Sequence, residues 1–221
     1  GSGTDGRTIG HGLSAVPAMV IFKNRTDSNT DWRVYHQSIS PTNAVSVNST
    51  GAEYGASSIF TSGGFDSTHL KLESESNVNG SGKSMLAYCF AEKQGYSKFG
   101  SYKGNGNIDG SFVYTGFQPS TVIIKETGST TAWGLWDWTR SGTHGLDEYV
   151  HNPRERLHLM NTAGSEYNGD SYMIDFYSNG FKLRNTDGAW NGNNDDYIYA
   201  AWAKSPFVTS DDGGSIPGTA V

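Results

Sequence analysis

The sequence predicts an all-β fold made of two tandem, sequence-related β-sandwich repeats packed together. Three observations predict it. The first is an echo: Phe65 to Leu72 reads FDSTHLKL and Phe176 to Leu183 reads FYSNGFKL, with Phe, Ser, Lys and Leu at the same four places, 111 positions apart. The second is that the apolar runs are short, rich in β-branched and aromatic residues, and separated by Gly, Asn, Asp and Ser turns. The third is that no segment carries a helical period with caps at its ends.

Composition bounds the class. The chain has 221 residues, enough for one large β domain or two small ones with a proper core. Hydrophobic residues make up only 35%, yet 6 Trp, 12 Tyr and 10 Phe with 17% charged residues are the composition of a folded chain rather than a disordered one. The net charge of −6 and the lack of a basic run argue against a nucleic-acid partner. No apolar stretch approaches the length of a membrane span, so no membrane insertion is expected. No signal peptide is recognisable, and a soluble protein made in a reducing compartment is expected. The single Cys89 cannot form an internal disulfide and reads as a buried spare thiol.

The two copies follow one order. A Gly-rich lead opens each, Thr4 to Leu13 and Gly100 to Phe117; Gly1 to Gly3 are left open. Then come Pro17 to Lys23 and Pro119 to Lys125, β-branched runs begun by Pro, apolar on both faces as buried strands are. Polar turns lead into the Trp strands Trp32 to Tyr35 and Trp133 to Trp136. The offset then rises from 101 at Trp133 to 113 at Asn161, so copy two carries about 12 extra residues, within a loop at 137–156. Asn48 to Tyr54 and Asn161 to Tyr167 restore the register, the echo strands follow, and Met85 to Ala91 and Tyr197 to Ala203 close the copies. The repeats are placed at 1–99 and 100–208, with a loosely ordered tail at 209–221. Aromatic residues in the short junction predict that the copies pack together.

Enzymatic signatures are weak. There is no GxSxG elbow and no HExxH, and the six histidines are scattered. Asn191 to Asp196, and Asn105, Asn107 and Asp109, offer oxygen ligands, but such runs are the ordinary chemistry of turns. No metal and no cofactor is assigned. Paired carboxylates for glycoside hydrolysis could come from Asp137, Asp147, Glu148, Glu155, Glu166 or Asp175. Glu166 matches Glu53 in copy one, which suits service to the repeated fold.

Aromatics give the strongest signal, because ring faces stack on sugars. Alternation puts Trp133, Leu135 and Asp137 on one face and Trp136 and Trp138 on the other. Trp133 is matched by Trp32 and reads as core; Trp138 and Trp190 have no counterpart and read as binding residues. The candidate ligand-binding set is Trp136, Trp138, Arg140, His144, Tyr149, His151, Trp190, Asn193 and Asp195.

Certain phrases resemble a known family. The lead ending HGL before Pro17-Ala-Met-Val-Ile-Phe-Lys, the run Phe99 to Pro119, the phrase SNGFKLR, and the ending Tyr197 to Ser210 with its PFVTS are similar to repeats in distal tail-fibre and related virion proteins of tailed bacteriophages. Phage-type fibre-tip adhesins of bacterial cells share them. The likeness covers nearly the whole chain; Ala201-Trp202-Ala203 departs from the Ala-Phe-Ala common in relatives. The resemblance implies the distal part of a longer chain, exposed outside the cell on a virion or cell-surface fibre tip. It implies a non-enzymatic, receptor-binding adhesin for host cell-surface polysaccharide, assembled as a homotrimer through the fibre. The alternatives are a structural fibre module whose aromatics form subunit interfaces and, less favoured, a polysaccharide depolymerase.

Overall fold

A computed structural model of the protein describes residues 1–57, 59–140 and 152–206, the side chains of 61–63 excepted. Most of the expected 137–156 loop, with His144, Tyr149 and His151, and the expected tail lie outside the described residues.

The chain is all-β and divides into two compact units, Gly1–Ala91 and Glu92–Val221. The division falls eight residues ahead of the boundary expected at 99/100. The reason is strand pairing: Ser97–Lys103, which reads as a junction, pairs along its length with the last strand of the second unit.

In the first unit the strands are β1 (Arg7–Gly10), β2 (Met19–Asn24), β3 (Arg33–His36), β4 (Asn43–Ser46), β5 (Tyr54–Gly55), β6 (Phe60–Phe65), β7 (His69–Leu72) and β8 (Met85–Phe90). They form a five-stranded sheet, β5-β4-β3-β2-β8, and a three-stranded sheet, β1-β7-β6. A single helical turn, α1 (Ser76–Asn79), precedes β8. Val20, Phe22 and Ala44 of the large sheet meet Phe60, Leu70 and Leu72 of the small one in the core, and Val78 of α1 joins them.

The second unit has β9 (Ser97–Lys103), β10 (Phe112–Tyr114), β11 (Pro119–Glu126), β12 (Gly134–Asp137), β13 (His158–Leu159), β14 (Ile174–Tyr177), β15 (Gly180–Leu183) and β16 (Asp196–Ala203), with α2 (Gly188–Asn191) before β16. Its sheets run β13-β12-β11-β16-β9 and β10-β15-β14. Val122, Ile124, Trp136, Tyr197 and Tyr199 face Val113, Ile174, Phe176, Phe181 and Leu183, the usual alternation of a sandwich. Each such side chain contributes about 1.5–3 kcal/mol by leaving water. β11 and β16 are buried on both faces, as their near-continuous apolar runs predict.

The two one-turn helices were not foreseen, because four residues are too few to display a period. Their caps are matched: the Glu75 carboxylate accepts from Asn77 N at 2.7 Å and the Asp187 carboxylate from Ala189 N at 2.8 Å. Each helix ends in an asparagine with no exposed surface, Asn79 or Asn191. Asn79 Nδ2 donates to Thr4 O and Glu73 O, and its Oδ1 accepts from Ser2 N. Asn191 does the same for Asn107 O, Asn185 O and Asn105 N. The backbone adds Gly3 N to Asn79 O at 2.7 Å and Gly106 N to Asn191 O at 2.8 Å. Gly3 and Gly106 both take positive φ, +66° and +62°, which favours glycine there. Thus Gly1 to Gly3 sit on α1 as Gly104 to Gly106 sit on α2.

Candidate functional site

The structure separates the residues singled out as ligand-binding. Trp136 and Trp190 are core residues, 0% and 2% exposed, and present no ring face to a ligand. The Trp136 indole donates to Tyr172 O at 2.7 Å, and its ring meets Trp190 edge to face at 5.1 Å. Trp190 lacked an aromatic counterpart because its partner in size is a glycine. A Cβ on Gly134 would lie 2.6 Å from the Trp190 ring. The first unit has Arg33 and Val78 at the matching places, so it has neither the glycine nor the large ring. The Trp190 ring is therefore filling space inside its own unit, not forming a subunit interface.

Trp138 is half-buried at the edge of the same core. It stacks on Phe176 at 6.4 Å and 17°, with the Arg154 guanidinium 4.4 Å and the Lys204 ammonium 3.6 Å from its ring centre. Arg140 binds Asp137 Oδ2 at 2.5 Å and Glu166 at 3.3 Å, and Arg156 binds the other Glu166 oxygen at 2.6 Å. Asn193 and Asp195 are exposed in the turn after α2. Their neighbour Asp196 pairs with Lys103 at 2.8 Å, and Asp109 pairs with Lys182 and Arg184. Among the described residues no group of three or more His, Cys, Asp or Glu is placed to hold a metal.

A second surface was missed. On β10 only Val113 points inward; Phe112 and Tyr114 point out, opposite Lys182 and Gly180 of β15. Phe112 is 48% exposed, Tyr114 65% and Tyr177 of β14 39%. The Phe112 ring meets Tyr177 edge to face at 5.9 Å and overlies Gly180, where a Cβ would lie 2.9 Å from it. Charges rim this aromatic face. Tyr177 donates to Asp175 at 2.9 Å, Arg184 lies 3.4 Å from Asp175, and Lys182 lies 2.5 Å from Asp109. That hydrogen bond to Asp175 pushes the Tyr177 hydroxyl up, while Lys182 and Arg184 hold the Asp109 carboxyl below its usual range.

Tyr114 also lines a groove of about 330 Å³ with Glu92, Lys93, Gln94, Lys98 and Gly116. Ligand sites span roughly 300–1,000 Å³, and this groove lies at the small end of that range. Face and groove together offer ring surfaces, hydroxyls, an amide and both signs of charge. The signal was in the sequence: Tyr177 stands where the echo has Asp66, and Gly180 where it has His69.

A profile of one protein family, described as a domain of unknown function (DUF7483), matches residues 1–206. The chain belongs to the DUF7483 family. Since the match spans both units, the pair of units, not one, is the DUF7483 domain. No curated protein and no solved structure matches the chain.

Proposed function

We propose that the protein is a non-enzymatic adhesin, the receptor-binding tip of a phage-type fibre, and that it binds host cell-surface polysaccharide through the second unit. One observation carries this reading: three exposed aromatics, Phe112, Tyr114 and Tyr177, line one sheet face that continues at Tyr114 into a groove of hydrogen-bonding groups. Sugars present both CH-rich faces and hydroxyls, and need both kinds of surface. Of the six carboxylates considered for hydrolysis, three are engaged with neighbours: Asp137 with Thr139 and Arg140, Glu166 with Arg140 and Arg156, Asp175 with Tyr177 and Arg184; Asp147 and Glu148 lie outside the described residues. The resemblance to tail-fibre repeats supports the same reading. Display on a trimer outside the cell raises weak single-site binding to useful avidity.

A glycan array and host-cell adsorption test it. Y114A should weaken binding roughly tenfold or more, and Y177A and F112A less, with folding unchanged. Thr8→Ala, at the matched place in the first unit, should change nothing. Undiminished binding by Y114A and Y177A together would remove this face from the account. Loss of a chain–chain association in those variants, with glycan binding intact, would assign the face to a subunit interface instead.

A further inference from the structure

Arg154 bridges to Ile174, with Arg154 N donating to Ile174 O at 2.7 Å and Ile174 N to Arg154 O at 3.0 Å. Opposed residues in an antiparallel pair share a face. Ile174 is fully buried in the core, so Arg154 points inward too, and only 1% of it is exposed. Its guanidinium lies on the Trp138 ring, and its Nε and Nη2 have no hydrogen-bond partner. Those two nitrogens form one edge of the guanidinium, the side-on fork that matches two oxygens of a carboxylate or phosphate.

Two described acids, Asp137 and Glu166, are engaged with other groups. Asp137 Oδ1 accepts from Thr139 N, Thr139 Oγ1 and Arg140 N, and its Oδ2 from Arg140. Glu166 is divided between Arg140 and Arg156. Lys204 is exposed, on the same indole, and has no ion pair among the described residues. The first unit shows the contrast. Arg33 also lies over an aromatic ring, Tyr54 at 5.3 Å, but it comes with Asp31 at 2.8 Å and Glu75 at 3.8 Å. Arg33 has its anions within the chain; Arg154 has no ion pair among the described residues.

We infer that Arg154 and Lys204, on the Trp138 ring, form an oxyanion subsite, and that the glycan bound by this protein is acidic, carrying a carboxylate or a phosphate. The second clause rests on the adhesin reading; the first does not. A chain of net charge −6 repels polyanions in general, so recognition of one requires such a dedicated point.

The test follows the arginine Nε–H resonances of the ¹⁵N-labelled protein during titration with D-glucuronate, glucose 1-phosphate, inorganic phosphate and glucose. Glucuronate or glucose 1-phosphate should shift the Arg154 resonance and slow its exchange with water, whereas glucose should not. A response to glucuronate alone names a carboxylate; a response to glucose 1-phosphate and inorganic phosphate names a phosphate. R154Q and K204Q should each weaken the acid roughly tenfold. Where R154Q does not fold, the exposed variant K204Q and the wild-type resonance decide. No response of Arg154 to any acid, or equal affinity in K204Q and wild type, overturns the subsite. If the subsite fails while the array still shows glycan binding, the adhesin reading stands with a neutral ligand. If the acids bind and no glycan does, the subsite stands and that reading falls.

Discussion

The outer faces of the two three-stranded sheets are built on the same register and carry different chemistry. In the first unit Thr8 and Gly10 of β1 lie opposite Lys71 and His69 of β7. In the second Phe112 and Tyr114 of β10 lie opposite Lys182 and Gly180 of β15. Only the lysine is kept. The small and large residues sit on opposite strands: Gly10 of β1 faces His69 of β7, whereas Tyr114 of β10 faces Gly180 of β15. On the inward side Leu70 and Leu72 are matched by Phe181 and Leu183, all buried, although Ile9 is 39% exposed where Val113 is 6%. Among the described side chains of the two three-stranded sheets, only the second unit's outer face carries exposed aromatics.

The matched clasps break the comparison most severely. Asn191→Ala strands Asn105 N, Asn107 O and Asn185 O at once, and each polar group left unpaired costs about 1–3 kcal/mol where it is buried. A loss of about 4 kcal/mol is expected from urea unfolding followed by tryptophan fluorescence. Asn79→Ala strands Ser2 N, Thr4 O and Glu73 O and should cost nearly as much. If Asn79→Ala proves almost silent, the first Gly-rich lead is not held as the second is, and the likeness of the units stops short of their amino-terminal segments.

The glycines on opposite strands give the next largest effect. A Cβ on Gly180 would sit 2.2 Å from the Val113 carbonyl oxygen, a backbone atom that cannot turn aside. Gly180→Ala should therefore cost about 3 kcal/mol by forced strand displacement. On Gly10 the nearest atom to a Cβ is Thr68 O at 3.8 Å, so Gly10→Ala should be neutral within about 0.5 kcal/mol. Equal costs at the two sites would mean that the β10–β15 contact yields easily, and that the outer aromatic face is loosely held.

Much of the fold was legible because it depends on local pattern. The echo strands, the Pro-initiated buried strands and the polar turns all follow from alternation and turn chemistry over a few residues. Phe176 and Leu183 are core, as the match with Phe65 and Leu72 implies, while Lys182, on the central strand of its sheet, is a half-buried charge paired with Asp109. The site was less legible because it depends on pairs distant in sequence. Trp190 looked like a free ring; its burial follows from Gly134, far away along the chain. Phe112-Val113-Tyr114 reads as an apolar approach to a strand. Only its register with β15 shows that two of its three side chains point to solvent. Trp138 was singled out as a binding residue, but its place at the core edge and its cations Arg154 and Lys204 come from separate segments that no local window joins.

The smallest effect separates the matched lysines that close β2 and β11. Lys23 donates to Thr30 O and Oγ1 and is half-buried. Lys125 has no exposed surface and donates to Glu126 O, Ser129 O and Thr131 Oγ1, and burial pulls it down to about 8. Because the folded value lies below the unfolded one, the unfolded chain binds the extra proton between pH 8 and about 10.4. Stability should therefore rise as pH increases through that window, by at most about 2–3 kcal/mol. Buried tyrosines act oppositely: Tyr199, pushed up to about 12 by burial, resists ionising when folded, so its contribution is lost as pH climbs above 10. Urea midpoints should consequently climb from pH 8, crest near pH 10 and then fall. In Lys125→Met the climb should vanish while the fall persists. A climb that survives the substitution would assign the titration to another group, and would leave the two lysines alike in everything but exposure.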